Sequence, residues 1–144
     1  MNRLRGSAPS VLLVEDDSTL LAALVECLLR EGYRVTTAAN GAAAIDASRR
    51  TEFDAVVIDV FLPDAGGLGV ARAMCQQARG PIHVLFTSAL SLPTVRLALE
   101  PAPVLFKPFK RRELLDKIRE VIDRPPLYLG LANPASPAPR EEAT

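Results

Sequence analysis

The chain has no tryptophan, two cysteines and one histidine, and its 17 basic residues cancel 17 acidic ones over 144 positions. Each shortage narrows what the protein can do. Without net charge there is no global field to draw in nucleic acid or an anionic membrane, so a basic patch would have to be local. Cys27 and Cys75 fall inside expected helices with no metal-ligand spacing, and no charged-then-apolar leader opens the chain. The expected compartment is therefore the reducing cytoplasm. The longest apolar run is far too short to span a bilayer. The first apolar run is followed by Glu15-Asp16-Asp17 where a Gly-x-Gly-x-x-Gly would stand, which disfavours a nucleotide-binding Rossmann protein.

What is present is apolar: 49% of the residues, enough for one continuous core. A loose arm is expected over 1–9, one domain over 10–124, and a Pro/Ala-rich tail over 125–144 with no output domain. Within that tail Leu127, Tyr128, Leu129 and Leu131 are candidates for docking on the body or on a partner. The organising stretch is Asp54 to Gly67. Its apolar run Ala55 to Ile58 has no polar alternation and closes on Asp59 and a Pro/Gly turn, which reads as a strand buried on both faces. Val11 to Val14 is a second such run, ending in Glu15-Asp16-Asp17.

Helical spacing of Leu20, Leu21, Leu24, Val25, Leu28 and Leu29 predicts a first helix, with Ser18 as N-cap and Gly32 as its stop. Tyr33 to Ala38 is β-branched in its middle and reads as a strand; Asn40-Gly41 then opens an alanine-rich helix to about Arg50. Gly66-Gly67 releases a third helix that ends near Gly80-Pro81. Ile82 to Phe86 is the fourth strand, running into Thr87-Ser88. A short fourth helix follows from Ser91 or Leu92 with Pro93 in its first turn, then a brief strand Val104 to Phe106. Lys107-Pro108 leads into a last amphipathic helix, Lys110 to Asp123.

Five strands alternating with helices imply a doubly wound α/β fold, flavodoxin-like, with a parallel sheet in the order 2-1-3-4-5 and helices on both faces. That order brings Glu15, Asp16 and Asp59 together at the carboxyl rim. Crowded carboxylates repel unless a cation neutralises them, and few oxygen ligands with room for waters and phosphate suit magnesium better than a calcium cage. A phosphoryl group would use every part: the metal, Lys107 and a Thr87 hydroxyl share its charge while a carboxylate oxygen attacks phosphorus. Asp59, alone at the end of the central strand, is the expected nucleophile.

Glu15-Asp16, Asp59, Leu62-Pro63-Asp64, Thr87 and Lys107-Pro108-Phe109, in this order over roughly Val11 to Asp123, resemble the receiver domains of bacterial two-component response regulators. The resemblance implies phosphotransfer onto Asp59 from a histidine kinase or a histidine phosphotransfer protein, with Mg2+ bound. Asp16 and Asp59 would be direct ligands, Glu15 would act mainly through water, and the backbone carbonyl of Phe61 would complete the set. Thr87 and Lys107 would contact the phosphoryl group, and the bond into Pro108 would be cis. The expected protein is a single-domain regulator, monomer or weak dimer, that catalyses only its own phosphorylation and dephosphorylation. It would signal by altered binding to an unknown downstream protein or serve in a relay, with no direct nucleic-acid binding. The alternative is a receiver-like interaction module indifferent to phosphorylation.

Three departures qualify the resemblance. Val104 stands three before the lysine, where an aromatic usually couples phosphorylation to output. The segment from Thr87 to Lys107 carries Pro93, Pro101 and Pro103, which alters the fourth helix. Strand four has one residue more than expected between Pro81 and Thr87, leaving Ser88 as the second choice for the hydroxyl. Phe61 and Ala89, two positions after Asp59 and Thr87, are apolar and predict slow self-dephosphorylation. Asp17 is read as a solvated or capping residue, Asp64 as a turn residue, His83 as a core or edge residue of a strand, and Arg111-Arg112 as a solvated helix face.

Overall fold

The computed structural model describes residues 8–63 and 65–126. Ten elements alternate along them: β1 (Ser10–Val14), α1 (Ser18–Arg30), β2 (Arg34–Ala38), α2 (Gly41–Arg50), β3 (Ala55–Asp59), α3 (Gly66–Gln77), β4 (Val84–Ser88), α4 (Pro93–Leu99), β5 (Val104–Phe106) and α5 (Arg111–Asp123). The five strands form one parallel sheet in the order β2-β1-β3-β4-β5, so the expected fold class is observed.

The unbroken apolar runs follow from covering both faces. Successive strand residues point to opposite sides, so a strand buried on each side has no polar position to offer. Leu12, Val14, Val56, Ile58, Val84 and Phe86 pack with Ala44, Val70, Met74 and Leu99 on the α2, α3, α4 side. Val11, Leu13, Ala55, Val57, Leu85 and Leu105 pack with Leu24, Leu28, Leu114 and Ile118 of α1 and α5 on the other.

Several boundaries differ from the sequence expectations. Asp17, not Ser18, caps α1, its Oδ1 accepting from the N–H groups of Thr19 (3.0 Å) and Leu20 (3.1 Å). The Asp17 carboxylate one residue earlier reaches both free donors, and Ser18 becomes the first helical residue. β4 starts at Val84 and includes Thr87 and Ser88, because the ladder to β5 carries on to Ser88. Ile82 and His83 therefore lie ahead of the strand. α3 ends at Gln77, and β2 begins at Arg34 rather than Tyr33.

Lys110 sits at the N-cap of α5, its backbone N–H donating to Glu113 Oε1 at 3.0 Å. Leu92 is the N-cap of α4, with Pro93 in the first turn as anticipated. Cys27 and Cys75 are half-buried, and burial pushes the Cys75 thiol up to about 11. Among the described residues no helix is long and apolar enough to cross a membrane. The expectations for most of the arm, for Asp64 and for Leu127 to Leu131 fall outside the described residues.

Candidate functional site

The register of the sheet builds the site. Val14 of β1 is paired with Ile58 of β3, so the next residues, Glu15 and Asp59, stand at one level on neighbouring strands. Asp16 follows at the rim, exposed, while Glu15 and Asp59 are only 4% and 7% exposed. Carboxylate oxygens of Glu15, Asp16 and Asp59 lie within 4.8 Å of one another. Lys107 crosses from the end of β5 and places its Nζ 3.1 Å from Glu15 Oε2 and 2.9 Å from Asp59 Oδ2. Its bond to Pro108 is cis, as the resemblance implied; the Glu100–Pro101 bond is also cis, which had no sequence expectation.

Backbone donors fix both buried acids. Phe61 N–H donates to Asp59 Oδ1 at 2.9 Å, and Asp17 N–H to Glu15 Oε1 at 3.2 Å. Burial raises the Glu15 carboxyl above its ordinary range, assisted by the charge of Asp59; the hydrogen bonds from Lys107 and Asp17 oppose the shift without cancelling it. Burial alone would depress the Lys107 ammonium, but hydrogen bonds to Asp59 and Glu15 hold it above its usual value. One ammonium thus pairs with two buried carboxylates beside a third, exposed one, and negative charge is in excess. The donors are hard oxygens, two of them buried and one open to solvent, which is a set that magnesium fits.

Gly67 is a residue whose importance the sequence reading missed. A Cβ there would meet the Asp59 carbonyl oxygen at 2.2 Å, so the start of α3 can lie against the end of β3 only because that residue has no side chain. The Gly66-Gly67 pair was the available signal, but it pointed equally to a simple helix start. Asp17 proves to be a cap, which accounts for it without a ligand role.

At the end of β4, Thr87 is paired with Asp59 and is buried. Ser88, the last strand residue, is fully buried and its Oγ both donates to Leu90 O and accepts from Leu90 N–H, each at 3.1 Å. Val104 is buried beside Phe86 in the core. Phe61 is half-exposed at the rim. His83 is partly buried, and its Nδ1 has no hydrogen-bond partner.

Comparisons with known proteins agree with this geometry. The family model described as response regulator receiver domain matches residues 11–119. The probable transcriptional regulatory protein TcrX of Mycobacterium tuberculosis is 38% identical over 128 residues, covering 86% of this chain and 54% of the relative. The DNA-binding response regulator MtrA of Mycolicibacterium paratuberculosis is 30% identical, covering 93% of this chain and 62% of the relative. The chain therefore spans little more than half the length of these relatives. Among solved structures, the receiver domain of the Pseudomonas aeruginosa sensor histidine kinase PA1611, with a magnesium ion coordinated in its active site cleft, superposes with a TM-score of 0.73 at 31% identity. The match covers 81% of this chain and 98% of that one. The chemotaxis protein CheY4 of Vibrio cholerae gives 0.72 at 27% identity, over 80% and 99% of the two chains.

Proposed function

This chain belongs to the response regulator receiver domain family, and on that premise we propose that it is a magnesium-dependent phosphoryl acceptor working through Asp59. The observation that carries the reading is Lys107 Nζ held between Glu15 and Asp59, 2.9 Å from the proposed nucleophile. An oxygen of Asp59 attacks the phosphorus of a phosphohistidine on a kinase or phosphotransfer protein. As the new P–O bond forms the P–N bond breaks, and its electron pair returns to the imidazole. Lys107 turns from Glu15 towards the incoming phosphoryl oxygens, where its charge is worth more because the site is screened from water.

Glu15, Asp16, Asp59 and the Phe61 carbonyl would hold magnesium, which when bound supplies the positive charge that lets an anionic phosphoryl donor approach this acidic pocket. The Thr87 and Ser88 hydroxyls are the two available at the end of β4. Phe61 and Ala89 cannot hydrogen-bond a hydrolytic water, so the acyl phosphate is long-lived; a half-life of seconds in the isolated protein would contradict this. The protein catalyses only its own phosphorylation and dephosphorylation, and it signals by changing the affinity of a partner surface.

The test is intact mass after incubation with phosphoramidate or acetyl phosphate, with and without magnesium. One phosphoryl group gained only with magnesium, and lost in Asp59→Asn, supports the reading; no adduct on a folded wild type opposes it. Buried Val104 favours a second reading, an interaction module indifferent to phosphorylation. Unchanged partner affinity on addition of beryllofluoride would select it.

A further inference from the structure

The end of the sheet opposite the acid pocket carries a cleft that the proposed function does not use. His83, Val84, Pro103, Val121, Arg124 and Pro125 line it, at the amino ends of β4 and β5 and beside the last turn of α5. Strand alternation accounts for the lining. Leu85 and Leu105 pack towards α1 and α5, so His83 and Pro103, two residues earlier in each case, extend the same face outward. Backbone pairing reaches that far: the His83 carbonyl accepts from Val56 N–H at 2.8 Å, and the Pro103 carbonyl from Phe86 N–H at 3.1 Å. The helix covers this face as far as buried Val121, and the chain leaves it at Arg124.

The chemistry of the lining limits the occupant. His83 Nδ1 is buried and has no hydrogen-bond partner among the described residues, and an unpaired buried nitrogen costs free energy that a partner would recover. Arg124 is paired with Glu120, so the cleft offers no free cation to an anionic ligand. What fits is a mainly apolar group carrying one hydroxyl. The chain supplies one next door. Beyond Pro125-Pro126 come Leu127-Tyr128-Leu129 and then Leu131, while the other positions to Thr144 are Gly, Ala, Asn, Pro, Ser, Arg, Glu and Thr.

Pro125 is itself part of the lining, so Tyr128, three residues on, lies within at most about 11 Å of it. A tether that short holds the phenol at an effective concentration of roughly millimolar or more, which a second copy's tail would lack. The Arg124 backbone is extended, with φ −84° and ψ 158°, and two prolines fix φ over the next two residues, so little freedom is lost on docking. A phenol also suits either imidazole tautomer, because its hydroxyl donates to a bare nitrogen and accepts from an N–H.

We infer that this cleft is the seat of the chain's own 127–131 segment, with the Tyr128 ring against Val121 and Pro103 and its hydroxyl bonded to His83 Nδ1. The inference is independent of the phospho-acceptor reading, since the cleft and the acid pocket lie at opposite ends of the strands.

NMR of the full chain tests it, and the composition keeps the signals separable: His83 is the only histidine and Tyr128 one of two tyrosines. Dilute wild type should show nuclear Overhauser contacts between the His83 imidazole and the Tyr128 ring, with amide exchange over 127–131 slowed about ten-fold against an unstructured chain. Tyr128→Ser should abolish the contacts and return those amides to the unstructured rate. Tyr128→Phe should keep the contacts but shift the His83 Nδ1 resonance. The inference is overturned if the wild type shows no such contacts, or if Tyr128→Phe leaves the Nδ1 resonance where it was. Contacts found only between differently labelled molecules, growing with concentration, would also overturn it by making the occupant the tail of a second copy.

Discussion

The two halves of the sheet are built differently. On the β2-β1-β3 side, α1 runs 13 residues under an Asp17 cap and α2 runs 10 under an Asn40 cap, and every residue of β3 is buried. On the β4-β5 side, β5 has three residues and α4 seven, capped by no side chain. The acids belong to the first half and the Ser88 hydrogen bonds to Leu90 to the second. A charged pocket must hold its geometry against its own repulsion, and under the proposed function a responding surface must shift at small cost; the long, capped helices of the first half suit the one task and the short α4 the other.

Cavity formation exposes this difference most strongly. Ile58→Ala, at a fully buried position beneath Asp59, is expected to cost about 2–5 kcal/mol in denaturant unfolding, and Leu97→Ser on α4 to stay within about 0.5 kcal/mol. Similar losses at both sites would erase the distinction. Asp17→Ala comes next in size, removing the cap that serves two N–H groups and costing about 1 kcal/mol. A loss much below that would mean that α1 is held by packing alone.

The acid pocket gives a further prediction with a definite sign. Because burial raises the folded Glu15 carboxyl above the ordinary 4.5, its contribution to stability is present below that value and is lost as pH rises through the folded value. In chelator, Glu15→Gln should therefore gain on the wild type as pH rises across this window and hold that gain at neutrality. An advantage that shrinks with rising pH would contradict the account.

The sequence was most legible where burial on two faces forces a pattern. Ala55 to Ile58 and Val11 to Val14 could only be central strands once no polar alternation was found, and their terminal acids marked the rim. Lys107 joined them because the topology closes there. The weaker half resisted reading for physical reasons. α4 turns Leu97 outward and buries Leu99 alone, so its apolar spacing does not report a core. The end of β4 is set by its ladder to β5, which is tertiary, and Ile82 was as apolar a start as Val84. The Ser88 hydrogen bonds to Leu90 depend on the path of the loop that brings Leu90 back, and no spacing rule encodes them. Ser18 and Asp17 are both good capping residues, and the backbone decides between them.

The central claim, that the buried acid of β3 accepts the phosphoryl group, is tested most directly by locating the bond. After phosphorylation in magnesium, borohydride reduces an acyl phosphate to an alcohol, and fragmentation of the peptide spanning Thr51 to Arg72 identifies the residue changed. Conversion of Asp59 to homoserine is the predicted result. A modified residue elsewhere, or an unmodified Asp59 in a protein that has gained the phosphoryl mass, would contradict the account.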